Sequence, residues 1–294
     1  MKQRVSRLGA DFSLLLVTLV WGATFVVVKW AIADLPPFPF LAIRFALAFL
    51  SLLPFIILNH KKIDLKTVIK GLGIGVFLFS GYAWQTIGLQ YTTASNAGFI
   101  TGLSVVLVPA LVAITTRTLP RPPLLIGILS ATIGLALLSL SEDFRLNQGD
   151  LLVLLCAISF ALHIYLVGRY APEADAAILA AAQILSVSLL SGLFSLIVPQ
   201  SSMHFTANVW LGLMLTAIPA TSLAFFIQTK MQQFTSPSHT ALIFASEPVF
   251  SAIFAFFLAG EILTPRGLLG AALVLTGMLV AEFNGGSDPL ARSK

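Results

Sequence analysis

The sequence predicts an all-α integral membrane protein of about ten transmembrane helices, arranged as two inverted five-helix repeats around a central cavity. Three observations carry that prediction. Hydrophobic residues fill 57% of the 294 positions and charged residues only 10%, whereas a soluble domain carries roughly 25% charged residues. Apolar runs of bilayer-spanning length follow one another with almost no polar gap. The two halves of the chain also repeat each other at a nearly constant offset.

A spanning helix needs about 20 mostly apolar residues. Runs bounded by charges, Pro or Gly place spans at 12–33, 38–57, 67–89, 94–116, 124–140, 150–169, 176–198, 210–229, 236–258 and 265–283. Inside a bilayer only helices and closed barrels satisfy every backbone polar group, and these runs are too long and too uniformly apolar for barrel strands. The basic N-terminus followed by Ala31-Ile32-Ala33 has some features of a secretion signal. The intervening run is too long for one and contains Lys29, so a first transmembrane helix is expected there. The single cysteine, Cys156, excludes an internal disulfide and every multi-cysteine metal site. No metal or cofactor is expected. Gly71-Leu72-Gly73-Ile74-Gly75 lacks the preceding strand and the glycine spacing of a nucleotide fingerprint, so it reads as a close helix contact.

Orientation follows from the placement of Lys and Arg. One set of loops and ends holds Lys2, Arg4, Arg7, Lys61, Lys62, Lys66, Lys70, Arg117, Arg121, Arg169, Lys230, Arg292 and Lys294; the opposite loops hold only Arg145 and Arg266. Both termini are therefore expected in the cytoplasm of a multi-pass protein of a bacterial inner membrane. The formal charge of +5 is explained by contact with anionic lipid headgroups, and no nucleic-acid partner is expected.

The repeat pairs Asp11-Phe-Ser-Leu-Leu-Leu with Asp150-Leu-Leu-Val-Leu-Leu. At an offset of 143 it pairs Gln85 with Gln228, Gln90 with Gln233, Thr92 with Thr235, Pro122 with Pro265, Gly127 with Gly270 and Gly134 with Gly277. The first repeat is assigned to 1–145 and the second to 146–294. Five spans is an odd number, so the repeats insert with opposite orientation, as in many secondary transporters.

These segments resemble the EamA-domain branch of the drug/metabolite transporter superfamily. The resemblance is carried by Trp21-Gly22-Ala23-Thr24-Phe25 with Lys29, Arg44-Phe45, Thr93-Ala94-Ser95-Asn96-Ala97-Gly98-Phe99-Ile100-Thr101-Gly102-Leu103 and Glu247-Pro248-Val249-Phe250. Gly260-Glu261, Thr264-Pro265 and Leu269-Gly270 complete it. It implies ten helices around a central cavity and transport, often export, of amino acids or related metabolites. Thr118 stands opposite Glu261 across the repeat, and Phe160-Ala161 opposite Trp21-Gly22, so the halves are not expected to contribute equally.

An ionisable group at mid-span costs about 2.5–3.5 kcal/mol on insertion scales, which makes each one a candidate. Glu247, next to the helix-breaking Pro248, suits an amine or a proton, or else a structural pair. His163 suits a proton relay or a neutral packing role. Lys29 and Arg44 suit an anionic group, snorkelling to the headgroups or a pairing with Asp34. Trp21, Thr24, Tyr82, Trp84, Gln85, Asn96, Thr101, Gln228 and Ser246 supply polar or aromatic surface within spans. Pro109, Pro219 and Pro248 are hinge candidates.

Three function classes follow. The first is a secondary transporter of a small metabolite, an amino acid or similar amphipathic compound, working by alternating access with proton coupling open to it. The second is an uncoupled channel or permease of the same fold. The third, an intramembrane enzyme, lacks a Gly-x-Ser-x-Gly elbow or a His-Glu-x-x-His pair, and no enzymatic activity is expected. The residues leave the oligomeric state open.

Overall fold

The structure is a computed structural model that describes residues 7–58, 63–139, 147–199, 202–259 and 264–283. Among these residues the chain is all-helical, with no strand. Outside them lie the boundary assigned at 145 and 146, the Gly260-Glu261 motif, and the basic residues Lys2, Arg4, Lys61, Lys62, Arg145, Arg292 and Lys294.

The helices are α1 (Arg7–Ala31), α2 (Pro37–Leu58), α3 (Leu65–Gly88), α4 (Ala94–Gly102), α5 (Ser104–Thr116), α6 (Pro122–Ser139) and α7 (Gln148–Tyr170). They continue with α8 (Ala176–Ile197), α9 (Ala207–Ala217), α10 (Ala224–Met231), α11 (Pro237–Phe244), α12 (Glu247–Ala259) and α13 (Pro265–Phe283). Short polar residues start them, as helix chemistry requires. Asp64 accepts from Thr67 N–H at α3, Asp175 from Ala177 and Ile178 at α8, and Ser236 from His239 at α11, just before Pro237. Asn147 and Asp150 form a reciprocal capping box at α7.

Three of the anticipated single spans are broken. The run 94–116 splits at Leu103, and 236–258 splits at Ala245 and Ser246. Pro248 explains the second break, because it has no N–H for the Phe244 carbonyl and the helix restarts at Glu247. Glu247 is thus the first residue of α12 rather than a mid-helix residue. Pro109 lies inside the continuous α5, so the break at Leu103 is not made by a proline. The third interruption is a π turn, Ile218–Leu223, joining α9 to α10 around Pro219. Such turns insert a residue into the helical ladder and gather at functional sites.

Helix α6 lies along α13, α3 against α7 and α8, α2 against α8, and α1 against α12. The glycines paired by the repeat make the α6–α13 contact crosswise. A Cβ at Gly134 would stand 2.5 Å from the Gly270 carbonyl, and one at Gly277 would stand 2.7 Å from the Gly127 carbonyl. Ser130 donates to the Leu273 carbonyl at 2.8 Å between them. Small residues let the backbones approach this closely. Gly134→Leu is therefore expected to cost about 1–3 kcal/mol through overpacking, read as a lower melting temperature in detergent. Gly73→Ala, where an added Cβ meets nothing within 4 Å, is expected to leave the melting temperature unchanged or raised.

Eight stretches of the described residues are long and apolar enough to cross a membrane, and the shorter Pro122–Leu137 accompanies them. Large apolar side chains such as Leu58, Phe55, Leu129, Leu189, Leu196 and Phe257 stand exposed on the outer faces. In water that surface would drive association. In lipid it is solvated, and the molecule is a multi-pass membrane protein.

Candidate functional site

A cavity lies between α1, α2, α3, the α4–α5 break, α7, α10 and the α11–α12 break; its empty space, counted together with the part open to solvent, is about 720 Å³. The helix interruptions put unusual groups on its wall.

Arg44 of α2 is 2% exposed. Its Nε donates to Thr221 Oγ1 at 2.8 Å, and Nη2 reaches Tyr82 Oη at 3.5 Å. Its Cζ stands 4.9 Å from the centre of the Tyr82 ring, a cation–π distance. The π turn supplies Thr221, which donates in turn to the Thr216 carbonyl at 2.8 Å. The same turn supplies the Ala220 carbonyl that accepts from Trp21 Nε1 at 2.8 Å. Among the described residues no carboxylate pairs with Arg44; the close contacts of basic with acidic side chains given there are Lys70 with Glu173 and His239 with Asp11.

Glu247 also lines the cavity and makes no hydrogen bond or ion pair to a described side chain. Its place at the start of α12 puts the carboxylate at the positive end of that helix dipole. The cavity therefore holds one guanidinium and one carboxyl group, neither with an ionic partner among the described residues.

Between them the walls are aromatic. Trp21 packs on Phe225 at 5.5 Å and on Phe244 at 5.0 Å between ring centres. Tyr82 packs edge-on against Phe160 at 5.3 Å and Phe225 at 6.1 Å. Polar pairs complete the lining. Gln85 Nε2 donates to Thr101 Oγ1 at 3.1 Å, Gln228 Nε2 to Gln232 Oε1 at 3.1 Å, and His163 bonds Gln183 at 2.7 Å.

Of the residues singled out in the sequence, the structure brings Trp21, Thr24, Arg44, Tyr82, Gln85, Thr101, His163, Gln228 and Glu247 to this one cavity. Ser246 is fully buried at the break, bonded to Thr18 and to the Ile243 carbonyl. Trp84 packs against the main core, and the Asn96 side chain lies outside the described side chains. Lys29 is exposed, away from the cavity lining, with Nζ donating to the Thr92 carbonyl at 2.9 Å. Asp34 accepts instead from Thr206 at 2.6 Å, so the anticipated pairing of Lys29 or Arg44 with Asp34 gives way to these bonds and to that of Arg44 with Thr221. Phe225, Phe244 and Thr221 were not among the residues expected at a site, and Phe25 and Phe160 were marked only by the motif and the repeat. With Phe at 23 positions, no signal separates a cavity phenylalanine from a lipid-facing one; Thr221, two residues after Pro219, was within reach of the proline argument.

The model of the EamA-like transporter family matches this chain twice, over residues 8–140 and 147–282. The chain belongs to the EamA-like transporter family. An uncharacterized transporter of Archaeoglobus fulgidus is 38% identical to this EamA-like transporter over 279 residues, covering 95% of this chain and 87% of the relative. A probable amino-acid metabolite efflux pump of Salmonella typhimurium is 26% identical, with 92% and 94% covered. A solved crystal structure superimposes with a TM-score of 0.78 at 19% identity, covering 95% of this chain and 98% of that one. That likeness shows the fold.

Proposed function

We propose that this EamA-like transporter carries a zwitterionic, amino-acid-like metabolite with an apolar side chain, as a secondary exporter of the inner membrane. The carrying observation is the cavity itself: Arg44 and Glu247 stand unpaired by any described charge, on aromatic walls. A buried charge is costly unless something compensates it. A substrate carboxylate on Arg44 and a substrate ammonium on Glu247 provide the compensation, while Trp21, Phe225 and Phe244 take the side chain. The name of the Salmonella relative is consistent with this substrate class.

Alternating access rests on two inverted five-span repeats, about ten spans in all, with both termini in the cytoplasm. The double family match, the crosswise glycine contact of α6 and α13, and helix breaks at Leu103 and Ser246, one offset of 143 apart, support this topology. Accessibility labelling of the loops near Arg121 and Arg266 tests it. Reaction from opposite sides of the membrane is expected, and reaction from one side would overturn the inverted arrangement.

Counterflow in proteoliposomes tests the substrate class. Vesicles loaded with unlabelled L-leucine or L-phenylalanine are expected to accumulate the labelled compound transiently and saturably. Leakage without counterflow would instead make the protein a passive channel.

A further inference from the structure

We infer that His163 is a specificity-determining residue, held in one tautomer so that its Nδ1 accepts from the ammonium of the substrate; this rests on the zwitterion reading above. The tautomer follows from a chain of bonds. Gln183 lies fully buried in α8 and reaches the Leu179 carbonyl at 3.0 Å through its Nε2. Only the amide nitrogen donates to a carbonyl, so the atom left facing His163 is Oε1. That oxygen accepts and never donates, and it stands 2.7 Å from His163 Nε2. Nε2 therefore carries the proton.

In the neutral ring the other nitrogen is then a bare lone pair. His163 lines the cavity, and Nδ1 has no hydrogen-bond partner among the described residues. Phe225 packs edge-on against the ring, 5.8 Å between centres and 89° between planes, and fixes its plane. An ammonium offers three donors, enough for a charge-assisted bond to Glu247 and one to Nδ1. Gln183 is the positioning residue, acting only through His163.

The titratable and charged groups on the same cavity are Arg44, Tyr82 and Glu247. None of them is within bonding distance of the imidazole among the described contacts. The ring is thus free to serve the ligand.

The test compares amino acids with their des-amino analogues in proteoliposome counterflow: L-phenylalanine against phenylpropionate, and L-leucine against methylpentanoate. Wild-type protein is expected to prefer the amino compound. In His163→Phe that preference is expected to fall about tenfold, the worth of one hydrogen bond to a charged group. His163→Asn, which keeps an acceptor near the Nδ1 position, is expected to recover most of it. Nitrogen-15 spectra of the histidine-labelled protein in nanodiscs are expected to show the Nε2–H tautomer at His163, and Gln183→Leu to scramble it while weakening the preference. A wild-type preference retained in His163→Phe, or a proton found on Nδ1 in the wild type, would overturn the inference. Wild-type protein that exchanges none of the four compounds would remove the zwitterion reading, and this inference with it.

Discussion

Arg44→Leu is expected to weaken amino-acid counterflow strongly while leaving the protein at least as stable as the wild type. Removing one member of a buried ion pair normally destabilises by about 3–5 kcal/mol, because the other charge is left stranded. Arg44→Leu strands no charge, and the Tyr82 hydroxyl loses only a long contact of 3.5 Å. No described carboxylate pairs with it, and Thr221 keeps its own bond to the Thr216 carbonyl. What is removed is a guanidinium, 2% exposed, that Thr221 and the Tyr82 ring compensate in part and no described carboxylate neutralises, so its burial still carries a cost. Melting temperature in detergent is expected to hold or rise. A large fall in melting temperature would make Arg44 structural and remove it from the binding site.

The functional half of that result is expected to be large. A charge-assisted bond to a buried partner is worth about 1.5–3 kcal/mol, so apparent affinity is expected to fall about tenfold to a hundredfold. Arg44→Lys restores the charge but not the planar fork that grips a carboxylate at two oxygens, and it is expected to recover only part of the loss. Phenethylamine lacks the carboxylate, so any inhibition it exerts on leucine counterflow is expected to be insensitive to Arg44→Leu.

The parts of this molecule that were legible in the sequence are those written as runs, periods and rare residues. Apolar runs located the helices, because lipid admits few alternatives for the backbone. Glu247, Arg44 and His163 stood out because an ionisable group at mid-span is costly. Lys29 satisfied the same criterion and still lies outside the cavity, since its depth along α1 is readable and its direction is not. The π turn at Ile218–Leu223 was signalled only by Pro219; nothing in the sequence states that the chain absorbs that proline by widening the helix. The break at Leu103 carries no local mark. Its position shows only through the repeat, one offset before Ser246. Aromatic walls were the least legible part, because phenylalanine serves lipid and cavity alike.

Glu247→Gln is expected to separate binding from coupling. The variant keeps the volume of the side chain, and at the first residue of α12 it forgoes only the helix-dipole attraction of about 0.3–1 kcal/mol. No described cation is left unpaired by the change, so folding is expected to be unaffected. If Glu247 exchanges a proton against the substrate ammonium, the variant loses uptake driven by a pH gradient, because the amide cannot carry a proton between the two faces. Exchange of substrate for substrate needs no proton and is expected to persist, with affinity for the amino compound lowered by the loss of the negative charge. His163→Phe serves as the contrast: it alters the preference among ligands and is expected to leave the response to a pH gradient in place. A Glu247→Gln protein whose flux follows the pH gradient as the wild type does would show that the coupling group lies elsewhere and that Glu247 serves only the ligand. The reason to expect otherwise is its position: a carboxylate at a broken helix, on the substrate cavity, with no described partner that holds its charge.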